Sequence, residues 1–155
     1  MCDVDFVRID IPGLPPTVNA RKVLVRGVPM NRKSVARFQR TAGQCGLAAM
    51  ARAGHRPVFT APVVAVVDFV VGAHRRRDVD GSLKDVLDGL QGTVYRNDRQ
   101  IVQLQSRQVP AARLSARLWR ESTVVYVADA GSDAGAALAA LVRATAAPIP
   151  SEGIQ

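Results

Sequence analysis

Nine consecutive residues, VVAVVDFVV at positions 63–71, are apolar with one exception and rich in β-branched side chains. Such a run predicts a strand covered on both faces, because a strand with one face in water alternates apolar and polar residues. A doubly covered strand needs further elements packed on both sides of its sheet, so the run favours an α/β fold. Asp68 is the exception, and we expect it to pair with an arginine, because a buried carboxylate must find a partner.

The first half of the chain contains a strand pattern followed by a helix pattern. Residues 5–11 are predicted to form a strand that stops at Pro12. Ser34 is expected to cap a helix over residues 35–53, which ends at Gly54. The predicted buried stripe of this helix is Val35, Phe38, Ala42, Cys45 and Ala49.

The second half alternates in the same way. Asp80 fits the N-cap of a helix over residues 81–90, and an alanine-rich helix is predicted over residues 133–146. In the first of these helices, Leu83, Val86, Leu87 and Leu90 are predicted to face the core. Two further strands are predicted, over residues 101–108 and 121–128, as hairpin partners across the connection at residues 110–117.

Length and composition indicate one domain. The chain has 155 residues, 48% of them hydrophobic, which is enough to bury a core without disulfides. We therefore expect a single-domain α/β fold with a mixed β-sheet over residues 1–147 and a flexible tail at 148–155. Cys2 and Cys45 are interpreted as unpaired, and the absence of a leader or membrane-length segment favours a cytoplasmic protein.

Basic residues dominate the charge pattern. The formal net charge is +8, and no Asp or Glu occurs between positions 11 and 67. A solvated basic surface is the ordinary explanation of a charge run, but an acid-free stretch of this length favours a polyanion partner. Aromatic residues are few, so contact with the phosphate backbone is favoured over base stacking. The DNA-contacting candidates are Lys22, Arg32, Lys33, Arg37, Arg40, Arg75, Arg76 and Arg77.

Acidic residues gather in one segment within this basic chain. Asp78 and Asp80 are one residue apart, so in extended backbone both carboxylates leave on the same side. Together with Asp98 they predict a site for a hard divalent cation such as Mg²⁺. Lys84 lies one helical turn after Asp80, where its amine could face a phosphate bound beside this cation. The ordinary alternative is an exposed helix salt bridge between Lys84 and Asp80 or Asp88, worth about 0.3–0.5 kcal/mol.

Other chemistries find little support in the sequence. His55 and His74 have no neighbours that complete a zinc or nucleophile constellation. No serine lies in a nucleophile elbow, and no GxxxxGK motif is present, so no nucleotide cofactor is expected. One segment thus combines acidic residues that could hold a metal ion with basic residues that could hold a polyanion. This combination favours a nuclease.

The acidic segment also resembles a known family, the RusA-like Holliday junction resolvases. Their signature is an Asp-x-Asp-Asn that opens a helix, a Lys four residues later, and an aromatic-x-Asp-Asp-x-Gln-Ile stretch. Asp78, Asp80, Lys84 and Asp88 match in register, and YRNDRQI at 95–101 aligns Asp98 with the second aspartate. The segment IPGLPPTVNARK at 11–22 is similar to the family's opening strand and Leu-Pro-Pro loop.

This chain departs from the signature twice. Gly81 stands where the family has Asn, and Asn97 replaces the first acid of the later pair. The departures leave an alternative open, a junction-binding protein of the same fold with weak or no cleavage. A third hypothesis is a basic RNA-binding module with a structural Ca²⁺ or without metal.

The resemblance implies a homodimer that binds four-way junction DNA and resolves it by paired symmetric nicks. It implies one or two Mg²⁺ ions per subunit, with Mn²⁺ as a substitute, held by Asp78, Asp80 and Asp98. Lys84 would stabilise the developing charge, and Asp88 would position Lys84 or add to the field of the metal. Members of the family are often carried by phages and prophages of bacteria and act in DNA recombination and repair.

Overall fold

The structure is a computed structural model that describes residues 5–16, 22–31, 33–54, 58–72, 79–110 and 120–145, with the backbone alone at 22–25, 28–31, 79–80 and 145. The predicted tail at 148–155 lies outside these residues. The described elements are β1 (Phe6–Pro12), β2 (Lys22–Val25), β3 (Val28–Asn31), α1 (Lys33–Arg52), β4 (Val63–Val71), α2 (Val79–Leu90), a 3₁₀ turn (Asp98–Gln100), β5 (Ile101–Pro110), β6 (Ser122–Asp129) and α3 (Asp133–Thr145).

A four-stranded mixed sheet in the order β1-β6-β4-β5 forms the centre of a single α/β domain. All nine residues of β4 are buried, which confirms the central strand predicted from the apolar run. Odd-numbered β4 residues from Val63 to Val71 join the core beneath α1 and α2, and α3 packs against β4, β5 and β6. A sheet sandwiched in this way explains why both faces of β4 are apolar.

The pairing of the last strand corrects one prediction. β5 and β6 do not form a hairpin, since β6 lies between β1 and β4 and is antiparallel to both. β5 instead pairs in parallel with β4. A parallel pair needs a long crossover, and α2 supplies it. The apolar β6 is buried along most of its length, whereas the more polar β5 takes the edge of the sheet.

A separate hairpin, formed by β2 and β3, was not predicted. Its turn consists of Arg26 and Gly27, both with positive φ, at 51° and 79°. Two-residue hairpin loops favour this conformation because its twist matches that of the strands. An Asn-Gly pair would have predicted the turn, but arginine rarely adopts positive φ.

The helices largely follow the predicted ranges, but their starts differ. Ser34 and Asp80 lie inside the first turns of α1 and α2, so neither residue is the N-cap. A polar or acidic residue suits the first turn as well as the cap, so the sequence does not distinguish the two positions. Gly54, with φ of 74°, follows α1 as predicted. The stripe is buried at Val35, Phe38, Ala42 and Ala49 and half-buried at Cys45.

Glycines bring α1 and α2 into close contact. A Cβ atom at Gly89 would lie 2.9 Å from Cβ of Ala42, and one at Gly46 would lie 2.8 Å from Cγ2 of Val94. Neither position has room for a side chain, so these glycines set the distance at which α2 packs. Within the described ranges, no helix is both long and apolar enough to cross a membrane.

Candidate active site

The predicted site residues fall on α2 and on the 3₁₀ turn before β5. Asp80 is the second residue of α2, in its first turn, and its side chain is outside the described set. Asp78 and the arginines at 75, 76 and 77 also lie outside the described residues. The predicted convergence of Asp78, Asp80 and Asp98 on one ion therefore stays a prediction.

Lys84 lies on the exposed side of α2, near its middle. Its Nζ is 3.2 Å from one oxygen of Asp88, four residues further along the helix, and 3.4 Å from the other. The salt-bridge interpretation is therefore correct for the pair with Asp88. An exposed pair of this kind is worth about 0.3–0.5 kcal/mol, so it does not prevent the ammonium from turning to a phosphate.

Asp98 opens a 3₁₀ turn that a network of hydrogen bonds holds. The Asn97 side chain accepts a hydrogen bond from the Arg99 N–H at 2.9 Å, and the Asn97 N–H donates to Oε1 of Gln100 at 2.9 Å. This is a capping box, which fixes both ends of the turn. The carboxylate of Asp98 is exposed, and no hydrogen bond or ion pair engages it within the described part of the chain.

Gln100 ties the same turn to the body of the domain. Its Nε2 donates to the carbonyl oxygens of Phe59 and Ala61, at 3.0 and 2.9 Å. The roles of Asn97 and Gln100 were missed by the sequence reasoning, although the Asn-x-x-Gln spacing of a capping box is present. Asp98 is thus an exposed acid on a rigid support, an arrangement suited to holding a ligand.

Tyr95 links the segment that leads to Asp98 to α2. Its ring is fully buried, and its hydroxyl donates a hydrogen bond to the Leu87 carbonyl at 2.8 Å. Burial raises the pKa of the Tyr95 phenol well above its usual range, and the charges of Asp98 and Asp88 raise it further. Both carboxylates therefore lie within electrostatic range of the phenol, whose hydroxyl contacts Leu87 of α2.

Asp80 lies in the first turn of α2, at the opposite end of the helix from Asp88. Eight residues separate Asp80 from Asp88, so their Cα atoms are about 12 Å apart along the helix axis. Among the described residues, no three acidic, histidine or cysteine side chains form a metal-binding group.

Exposed basic side chains follow one face of α1. Lys33, Arg37 and Arg40 are spaced three and four residues apart, which places them on one side of the helix. With Ala36 they line an open depression of about 230 Å³. α2 approaches α1 at Gln39 and Ala42, which lie on a different side of α1 from these cations. The structure confirms that these three cations project from the domain.

The remaining predicted DNA contacts are not described. Lys22 lies on β2, where only the backbone is given, and Arg32 falls between β3 and α1, outside the described residues. Neither residue is placed by the structure. The basic face that can be analysed is therefore the one on α1.

Comparison with known proteins assigns the chain to a family. The family model for the endodeoxyribonuclease RusA matches residues 12–119, a span that includes every predicted site residue from Lys22 to Asp98. A comparison with curated proteins found no match. The matched span exceeds two thirds of the 155 residues. The chain belongs to the RusA endodeoxyribonuclease family.

Proposed function

We propose that this protein is a Mg²⁺-dependent, structure-selective endonuclease that resolves four-way DNA junctions by paired symmetric nicks. The family supports endodeoxyribonuclease activity. The observation that carries the proposal is the exposed Asp98 on its hydrogen-bonded turn, beside a helix that bears Asp80, Lys84 and Asp88. No structural role occupies this carboxylate among the described residues, which favours a role in ligand binding.

Asp78, Asp80 and Asp98 would hold one or two Mg²⁺ ions, with Mn²⁺ as a substitute. The donors fit the ion, because Mg²⁺ prefers carboxylate oxygens and Asp98 offers its oxygens to solvent. A bound ion would lower the pKa of a coordinated water and offset the charge gained by the phosphate. The three aspartates would fix the position of that ion relative to the DNA.

Lys84 would neutralise charge on the scissile phosphate. Its partner Asp88 holds the ammonium on the exposed side of α2, and the weakness of that pair permits exchange for a phosphate oxygen. An ammonium held ready in this way needs little reorganisation when charge develops. Asp88 would act by positioning Lys84.

The basic face of α1 would dock the DNA backbone. Lys33, Arg37 and Arg40 present three exposed cations on α1, and Arg75 to Arg77 would add charge next to Asp78. Contacts of this kind provide affinity and orientation without reading bases. Recognition of junction shape would follow from the placement of this surface in a dimer.

The active unit is proposed to be a homodimer in which each site uses both subunits. Two opposed cuts in a nearly two-fold junction suit a two-fold symmetric enzyme. A second copy could bring its own Asp98 to the first turn of α2.

Cleavage of a labelled four-way junction with Mg²⁺ or with EDTA tests the proposed activity. Symmetric nicks with Mg²⁺ that disappear in EDTA and in Asp80→Asn are expected. Asp133→Asn is the matched control, since it removes an exposed acid from the first turn of a different helix, α3. A shifted band without nicks would instead support a silent junction binder, and a preference for structured RNA would support an RNA-binding module.

Mixing two inactive variants tests whether the sites are shared. If Asp80 and Asp98 act from different subunits, dimers exchanged between Asp80→Asn and Asp98→Asn contain one intact site. Nicking of one strand should then return on mixing. If both residues act from one subunit, every site in the mixed dimer is damaged and the mixture stays inactive, which would refute the shared site.

A further inference from the structure

A groove lies between the loop that follows β1 and the first half of α1. Its apolar walls are Pro12, Leu14, Pro16 and Phe38, and its volume is about 280 Å³. Neither the proposed metal site nor the basic face of α1 includes these walls. A concave surface that is mainly apolar, with a few polar groups beside it, suits a small apolar group rather than an ion.

Hydrogen bonds hold the loop side of the groove in shape. The Gly13 N–H donates to the Glu121 carbonyl, and the Gly13 carbonyl accepts from the Thr123 hydroxyl, both at 3.0 Å. Leu14 packs against the core, and the proline rings of the loop restrict its backbone further. A groove that is already shaped in this way binds a ligand with a smaller loss of conformational entropy.

A cationic surface continues from the groove along α1. Arg37 lines both the groove and the depression of about 230 Å³ that Lys33 and Arg40 also border. All three side chains are exposed, and no ion pair engages them within the described part of the chain. Among the residues that the structure describes, no acid lines either depression. The two depressions together are complementary to a ligand in which an anionic group adjoins an apolar one.

We infer that the groove receives an unpaired base of a DNA strand whose phosphates lie along Lys33, Arg37 and Arg40. This inference rests on the proposed function, because it requires that the basic face of α1 docks DNA. A nucleotide joins a base with apolar faces to an anionic phosphate, which is the combination that the two depressions complement. Bases of an intact duplex are stacked and paired, so only a base that leaves the stack enters the groove.

Branched DNA supplies such a base more readily than a uniform duplex. Extruding a base costs the free energy of its pairing and stacking, and this cost is lower where pairing is already interrupted. At a branch point the stack of bases is interrupted. The phosphate contacts along α1 carry no such preference, because every duplex presents phosphates. The groove therefore gives a physical reason for binding that selects DNA structure.

The groove lies at the end of the sheet from which the chain leads to α2. Pro12 pairs with Ser122, and Ser122 pairs with Val70, next to the last residue of β4. Two strand spacings of about 4.8 Å place Pro12 about 10 Å from Val70. The next described element after β4 is α2, which carries Asp80 in its first turn. A base in the groove thus lies at the sheet end where the β4–α2 connection starts.

Two DNA ligands that differ in a single base test the inference. The first is a duplex with one unpaired thymidine, and the second carries an abasic site at the same position. Binding is measured by fluorescence anisotropy in EDTA, so that no cleavage occurs. The wild type should bind the first ligand about tenfold more tightly, because only this ligand transfers a base from water to an apolar surface. Equal affinities would overturn the inference.

Substitutions on α1 separate the groove from the phosphate contacts. Ser34 also lines the groove, so Ser34→Trp should fill it and remove the preference for the unpaired base while binding of the abasic ligand persists. Gln44→Trp is the matched control, since Gln44 is exposed on the same helix but lines neither depression. Arg37→Gln should weaken binding of both ligands by a similar factor and lower the slope of the salt dependence by about one unit.

A second variant acts on the opposite wall of the groove. Leu14→Asn makes that wall polar and should also reduce the preference, and thermal denaturation identifies a variant that does not fold. A folded Ser34→Trp or Leu14→Asn variant that keeps the full preference would contradict the proposed location of the base. Loss of the preference in Gln44→Trp would contradict it as well.

Cleavage separates failure of this inference from failure of the proposed function. A protein that prefers the unpaired base but never nicks a four-way junction with Mg²⁺ would leave the groove standing and refute the nuclease. A protein that nicks the junction yet binds both ligands equally would refute the groove and leave the nuclease standing. A protein that binds none of these DNA ligands would refute both.

Discussion

Substituting Arg107 should lower the stability of the domain, because Asp68, the one charged side chain of the central strand β4, loses its ion-pair partner. Asp68 is only 7% exposed within β4, and both of its carboxylate oxygens accept hydrogen bonds of 2.7 Å from the Arg107 guanidinium. These hydrogen bonds raise the pKa of Arg107 further above its ordinary value, so the arginine stays charged throughout the neutral range. In Arg107→Met, the carboxylate loses both of these bonds.

The expected loss follows from the burial of each partner. Breaking a fully buried ion pair costs about 3–5 kcal/mol. The Arg107 side chain is 36% exposed, so water reaches this side of the pair and we expect about 2–3 kcal/mol. For a domain of this size that corresponds to a decrease in Tm of roughly 5–10 °C. The double variant Asp68→Leu with Arg107→Met removes the unpaired charge and should recover most of the loss.

Thermal and urea denaturation followed by circular dichroism measures these differences. Arg8→Met is the matched control, because the Arg8–Asp10 pair is more than half exposed at both ends and should contribute no more than about 1 kcal/mol. If Arg107→Met is no more destabilising than Arg8→Met, or if the double variant is as unstable as the single one, the reasoning about buried charge is wrong.

Three further predictions concern α2 and the turn that follows it. Gly89→Ala should lower stability by about 1–3 kcal/mol in urea denaturation, because its Cβ has no room, whereas Gly131→Ala in an exposed turn should have little effect. Since the pKa of Tyr95 is raised in the folded protein, its contribution is complete below the ordinary value of about 10 and is lost as the pH rises above it. The stability of Tyr95→Phe should therefore fall less steeply between pH 9 and 11 than that of the wild type or of Tyr126→Phe; equal slopes would contradict this. Asn97→Asp should keep the melting temperature within a degree or two, because aspartate caps as well as asparagine, and should keep junction cleavage; a large loss of stability would show that the cap is misassigned.

Local patterns predicted the elements well. The apolar run of β4 identified a central strand, and its lone aspartate was correctly expected to find an arginine, because burial leaves few alternatives. The helical stripe of α1 was visible from its spacing. These predictions depend on side chains close together in sequence or on a single strong physical constraint.

Long-range pairing was beyond the same reasoning. The composition of β6 does not predict that this strand pairs with β1 and β4, which precede it by more than fifty residues. The hairpin between β5 and β6 was favoured because neighbours in sequence often pair. The parallel pairing of β4 with β5 depends on how α2 crosses the sheet, which is a property of the assembled core.

In the candidate site too, local features were predictable from the sequence and long-range features were not. Lys84 and Asp88 pair at a spacing that any helix imposes, so the sequence predicted them correctly. The support of Asp98 by Gln100, which reaches carbonyl groups about forty residues away, could not be predicted. The distance between Asp98 and Asp80 also depends on tertiary structure, because it follows from the direction in which α2 runs.

The rigidity of α2 limits how far the proposed site residues can move relative to one another. A continuous helix keeps its length, because shortening it would break several backbone hydrogen bonds at once. Side-chain rotation moves a carboxylate by a few ångströms only, which is far less than the roughly 12 Å between the Cα atoms of Asp80 and Asp88. Asp98 cannot move instead, since the capping box and Gln100 hold its turn. The placement of α2 relative to this turn, within one subunit or between two, therefore decides which subunit supplies Asp98 to the proposed site, and mixing Asp80→Asn with Asp98→Asn measures that directly.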